Sequence, residues 1–168
     1  MTQNQKKTYS GYFLFVYFAV CLAVVLLDQG SKLLVVKYLK EIGDYPLIEG
    51  VFHFTYVENR GAAFGMLADN RWVFMIFSSV AVILIAVVLI IYRKSIKPML
   101  GITLAAICGG GIGNMIDRVA NGFVVDFLNF ELIDFAVFNV ADSFITVGAI
   151  LMIICVLFDE ISERKKAV

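Results

Sequence analysis

The sequence predicts a mainly α-helical membrane protein with four transmembrane helices, both termini cytoplasmic and a small extracytoplasmic β-cradle. Three observations predict it. First, 61% of the 168 residues are hydrophobic and mean hydropathy is +0.88, whereas soluble domains are about 45–50% apolar. A folded chain of this size still exposes roughly a third of its unfolded surface, so lipid must solvate the excess. Second, the charged residues leave four apolar runs close to the roughly 20 residues a helix needs to cross a bilayer. Third, Lys and Arg concentrate in the amino terminus, the carboxy terminus and the short segment 93–97, which marks these as cytoplasmic. Eleven of the fourteen acids fall on or near the opposite side, so carboxylate chemistry is expected at the extracytoplasmic face.

The first span, residues 11–27, lies between Lys7 and Asp28. A run after two lysines can be a cleaved secretory signal. Here no small-x-small site precedes Asp28, and removal would leave three spans with a conflicting charge pattern, so the run reads as a retained anchor. Asp44-Tyr-Pro-Leu then signals a turn, and Val51-Phe-His-Phe-Thr-Tyr-Val57 has the β-branched and aromatic character of a strand, bracketed by Gly50 and Gly61. A small sheet within 43–70 is expected on the membrane surface, with Tyr45, Phe52, Phe54, Tyr56 and Trp72 as interfacial aromatics. The second and third spans are residues 72–92 and 98–116. The fourth, 138–158, carries one charge, Asp142. With no repeat or long linker, residues 1–168 read as one domain. Fourteen cations balance fourteen acids, so no basic field argues for nucleic acid.

Several chemistries are excluded by what the chain lacks. His53 is the only histidine, so a zinc site of the HExxH type is ruled out and a Ser-His-Asp triad would depend on that one ring; in its apolar strand it reads as an interfacial packing residue. Cys21, Cys108 and Cys155 sit far apart in different spans, without metal-type spacing. Ser31 and Lys32 are adjacent, and helical neighbours i and i+1 point to different faces, which disfavours a Ser-Lys dyad. Lys32 is instead expected to pair with Asp28, four positions earlier. Gly109 and Gly113 form a small-xxx-small pair suited to close helix approach, and no GK[ST] follows to make a phosphate loop.

Carboxylates held at or in the membrane remain. An acid within hydrocarbon is costly and is a functional-site candidate by default. Asp142 is one; Asn139 as N-cap with Asp142 at N3 would also make a capping box. Asp126, in the apolar run Phe123-Val-Val-Asp-Phe127, is another. Two close aspartates share a proton, which supplies one base and one acid at the same pH, and such a pair can direct water at a peptide carbonyl. Asp117 is a rival partner, with Arg118 beside it as a candidate ion-pair mate, and spacing alone leaves 117 and 126 open. Asn114 reads as a helix-bridging or substrate-holding group.

The set Asp28-Gln-Gly-Ser-Lys32, Asn59-Arg-Gly-Ala-Ala-Phe64, Gly110-Gly-Ile-Gly-Asn114 with Asp117-Arg118, Val124-Val-Asp-Phe127 and Phe138-Asn-Val-Ala-Asp-Ser143 resembles the bacterial lipoprotein signal peptidases, or signal peptidase II. The resemblance runs in order through nearly the whole chain. It implies an aspartyl endopeptidase of the bacterial cytoplasmic membrane that cuts prolipoproteins just before a diacylglyceryl-modified cysteine. By motif it implies Asp126 and Asp142 as the catalytic pair. Asp28, Lys32, Asn59, Gly110, Asn114, Arg118, Asn139 and Ala141 match positions associated with the site or its substrate. Its expected partners are the lipid-modified prolipoproteins and membrane lipid, with no metal, no organic cofactor and no obligate protein partner. The competing reading is a small ion-coupled transporter using intramembrane aspartates; a non-catalytic four-helix assembly protein is a third.

Overall fold

The computed structural model describes residues 3–61 and 71–166. In chain order they form α1 (Gln3–Tyr38), β1 (Asp44–Ile48), β2 (Phe52–Asn59), α2 (Arg71–Ile91), α3 (Pro98–Ala120), β3 (Val124–Asn129), a 3₁₀ turn (Glu131–Ile133) and α4 (Val140–Lys166). Three helical segments are long and apolar enough to cross a membrane: Tyr12–Tyr38, Pro98–Ala120 and Val140–Ser162. The described apolar stretch of α2, Met75–Ile91, is shorter. The outer faces are inverted relative to a soluble protein, with Phe15, Phe18 and Leu33 of α1 and Phe77 of α2 exposed.

α1 continues ten residues beyond Asp28, which the charge pattern had marked as the end of the first span. The helix continues because its charges are neutralised internally. Lys32 Nζ lies 2.8 Å from Asp28 Oδ2, the expected i,i+4 pair, and both side chains are buried. Ser31 Oγ donates to the Asp28 carbonyl oxygen at 2.7 Å.

α3 is the central helix, packed on α1, α2 and α4. It starts with Pro98 at the first turn, where the missing N–H costs nothing, and ends at Asn121 before Gly122, whose φ is +82°. Its glycines set the packing distances. A Cβ at Gly109 would lie 2.7 Å from the Cys21 carbonyl oxygen of α1, and one at Gly113 would collide with the Asp28 carboxylate. On the α4 side, a Cβ at Gly110 would lie 2.6 Å from the Ala141 carbonyl oxygen. The small-residue face thus serves two neighbours at once.

The three strands form one antiparallel sheet in the order β1-β2-β3. The stretch beginning at Asp44 is edge strand β1 rather than a turn, and Pro46 is tolerated there because an edge strand needs fewer ladder donors. The third strand lies outside the expected 43–70 segment, of which residues 62–70 fall outside the described ones. Val124 to Phe127 are buried on both sides of the ribbon, so β3 lacks the alternation that identifies a half-exposed strand. Tyr45 and Trp72 are exposed as expected of interfacial aromatics, while Phe52, Phe54 and Tyr56 are half-buried.

His53 departs from the packing role expected of it. Its Nδ1 shares a hydrogen bond with Asp44 Oδ2 at 2.9 Å, and its Nε2 lies 2.7 Å from Glu131 Oε2 without hydrogen-bond geometry.

Candidate active site

After β3 the chain turns back along it. The N–H groups of Phe127 and Leu128 donate to the Phe138 carbonyl oxygen at 2.9 and 2.8 Å, and Phe138 N donates to Leu128 O at 3.1 Å. Asn139 therefore starts α4 beside the strand that carries Asp126. The expected capping box is present: Asp142 N donates to Asn139 Oδ1 at 2.9 Å and Asn139 N donates to Asp142 Oδ2 at 3.3 Å.

Asn139 is fully buried, and its amide nitrogen reaches Asp126 Oδ1 at 2.7 Å and Asn114 Oδ1 at 3.0 Å. Asn114 in turn donates from Nδ2 to Asp142 Oδ1 at 2.7 Å. Asn59, at the end of β2, donates from Nδ2 to Asp126 Oδ2 at 2.8 Å, and its own Oδ1 accepts the Gly61 N–H at 3.0 Å. Each carboxylate thus accepts two hydrogen bonds from neutral N–H groups. Neutral donors orient a carboxylate and favour its ionised form less strongly than a paired cation would. Among the described residues the two acids are linked through Asn139 and Asn114, with no direct bond between them. Burial pushes the Asp126 carboxyl up to about 6; the Asn59 amide pulls it down and the Asp142 charge pushes it up further.

Asp126 and Asp142 line one cavity of about 420 Å³ together with Asn59, Arg118, Phe138 and Thr146. Arg118 on α3 also donates to the Asn114 carbonyl oxygen at 3.4 Å. Thr146 and Val147, exposed on α4, form the side of the cavity one turn below Asp142.

Beneath the pair lies a buried ionic cluster. Lys32 Nζ contacts Asp28 Oδ2 at 2.8 Å, Asp117 Oδ2 at 2.9 Å and Asn114 Oδ1 at 2.9 Å. Asp117 therefore pairs with Lys32 across the α1–α3 seam, where local sequence had suggested Arg118. Asp28 Oδ1 accepts the N–H of Ala141 at 3.0 Å, and Asp117 Oδ2 accepts that of Val125 at 3.1 Å. Ala141 is fully buried against Gly110, which explains the small residues at both positions. All ten singled-out positions thus fall in or against this network. Gln29 was not among them. Its Nε2 lies 3.1 Å from Asp28 Oδ2, from the Gly113 carbonyl oxygen and from Asp117 Oδ1. Its one sequence signal is a second polar residue beside Asp28 at the end of the apolar run of α1.

Apolar helices around an acid-lined cavity, closed on one side by a sheet, define a small helical membrane enzyme. A solved structure described as a bacterial membrane enzyme, determined by the in meso method at 2.3 Å resolution, superposes with a TM-score of 0.79 at 32% identity, covering 88% of this chain and 91% of that one. The family model for signal peptidase (SPase) II matches residues 20–158, and the chain belongs to that family of peptidases. Among its relatives, the lipoprotein signal peptidase of Caldanaerobacter subterraneus subsp. tengcongensis is 54% identical over 129 residues, 77% of this chain and 87% of that protein. That of Clostridioides difficile is 44% identical over 148 residues, 88% of this chain and 99% of that protein. The transporter reading finds no support among these peptidase relatives.

Proposed function

We propose that the protein is a membrane aspartyl endopeptidase that removes signal peptides from prolipoproteins, cutting before the diacylglyceryl-modified cysteine, with Asp126 and Asp142 as its catalytic pair. The observation that carries this reading is that the two carboxylates share one cavity, each oriented by two neutral N–H donors. The ionised member takes a proton from water as the water oxygen attacks the scissile carbonyl. The protonated member hydrogen-bonds the developing oxyanion, and the proton taken from water passes from the first acid to the leaving nitrogen as the C–N bond breaks. The raised Asp126 carboxyl suits such proton sharing near neutral pH.

The protein is read as a multi-pass component of the bacterial cytoplasmic membrane, with four spans, cytoplasmic termini and the site near the extracytoplasmic face; the distribution of Lys and Arg supports that orientation. The exposed flank of the cavity at Thr146 and Val147 supports lateral entry of a lipid-anchored substrate. Arg118, which lines the cavity, is read as the group that holds its backbone, while buried Asn114 orients Asp142 from behind.

The test is purified protein mixed with a diacylglyceryl-modified prolipoprotein and followed by gel shift. Asp126→Asn and Asp142→Asn should each abolish cleavage while the protein remains folded. Cleavage retained by either variant overturns the assignment.

A further inference from the structure

The two acids under the cavity have a common arrangement. Asp28 accepts the N–H of Ala141, the residue before Asp142; Asp117 accepts the N–H of Val125, the residue before Asp126. The separation of the Asp28 and Asp117 carboxylates therefore fixes the separation of the two peptide groups adjacent to the proposed catalytic pair.

Two buried like charges repel, so their separation depends on what bridges them. Lys32 is one bridge, and its three ammonium protons are committed to Asp28, Asp117 and Asn114. Lys32 is shared between the two acids, so a second group that touches both adds to the fixing of their spacing. A second side-chain donor common to both acids is the Gln29 carboxamide, 3.1 Å from an oxygen of each and 3.1 Å from the Gly113 carbonyl oxygen. It fits because Gly113 has no Cβ at the place where the Asp28 carboxylate lies.

We propose that Gln29 is a positioning residue for catalysis: by bridging Asp28 and Asp117 it sets the spacing of Asp142 and Asp126. The inference rests on these two acids being the catalytic pair. Gln29 is not among the residues lining the cavity, so its removal disturbs alignment of the acids and leaves substrate binding intact.

The test compares Gln29→Met, which keeps length and removes the donors, with Gln29→Glu, which places a third carboxylate in the cluster. Cleavage of the lipid-modified prolipoprotein gives kcat and KM. Binding of a non-cleavable lipopeptide, followed by fluorescence, reports the cavity separately. The expected result for Gln29→Met is a fall in kcat of up to about 100-fold, the effect of displacing reacting groups by about 1 Å, with KM and lipopeptide binding within about twofold. Gln29→Glu should lose more. A kcat within about twofold of wild type in either variant overturns the inference, as does parallel loss of kcat and lipopeptide binding in Gln29→Met, which marks a general structural role. Asp126→Asn and Asp142→Asn are run beside them. Cleavage by either removes the catalytic pair and the Gln29 role with it, whereas two inactive aspartate variants beside a fully active Gln29→Met sink the Gln29 inference alone.

Discussion

Replacing Asp126 by asparagine is expected to stabilise the protein at neutral pH while destroying its activity. Asp126 is 1% exposed, and burial lifts its carboxyl from 3.8 to about 6. At about 1.4 kcal/mol per pH unit, holding it ionised above pH 6 costs the folded state about 3 kcal/mol. Asparagine removes that cost. Its NH₂ group would meet one of the two amide donors from Asn59 and Asn139, which forfeits a hydrogen bond of about 1 kcal/mol. The net gain is about 2 kcal/mol, roughly 4 to 8 °C in melting temperature for a chain of this size. The sign follows from proton uptake. Between pH 3.8 and about 6 the folded state holds a proton that the unfolded state has released, so wild-type stability falls as pH rises through that window. The gap between variant and wild type should favour the variant by about 2 kcal/mol above about pH 6 and wild type by about 1 kcal/mol below about pH 4, where the ionisation cost is gone and only the forfeited hydrogen bond remains. Melting in detergent, followed by a thiol-reactive fluorophore that reports exposure of buried Cys108, measures it. A variant that melts below wild type at about pH 8, or a gap that does not change with pH, refutes the reasoning.

Lys32→Met should lower stability by about 3–5 kcal/mol, since it leaves Asp28 and Asp117 buried without their shared cation; an unchanged melting temperature would contradict the cluster. Gly113→Ala places a methyl group against the Asp28 carboxylate and is expected to cost about 1–3 kcal/mol. Gly30→Ala in the same seam region meets nothing within 4 Å and should stabilise α1 by about 0.5–1 kcal/mol. Equal melting of these two alanine variants would show that α3 does not press on α1 at Gly113. A chelator should leave cleavage of the lipid-modified prolipoprotein unchanged, and its loss would point to a metal in the reaction.

Features governed by local spacing were legible in the sequence. The Asn139–Asp142 capping box and the Asp28–Lys32 pair both lie within one helical turn, and each is present. The glycines at 109 and 113 pointed to close packing because no other residue type permits it. What could not be read was set by distant contacts. β3 is buried at four successive positions, Val124 to Phe127, so Val124-Val-Asp-Phe-Leu-Asn129 carried no alternating pattern. α1 runs on past Asp28, where the charge pattern placed the end of the first span, because Lys32 pairs with Asp28 one turn along and also with Asp117 on α3. His53 read as a packing residue because its carboxylate partners come from Asp44 on another strand and Glu131 in a remote turn. Asp117 was matched to its neighbour Arg118, yet adjacent helical residues diverge, and its cation arrives from α1.

The start of α4 has a consequence for biogenesis. Asn139, Ala141 and Asp142 all belong to the helix that follows the other three in chain order. Until it is threaded into the bilayer, Asp126 lacks the Asn139 amide and Asp28 lacks the Ala141 N–H. A ribosome-bound intermediate that has already inserted α1 to α3 therefore holds half a site. On the proposed assignment of the pair, proteolytic competence arrives only after α4 has been made, which spares neighbouring nascent membrane proteins from a partly built hydrolase.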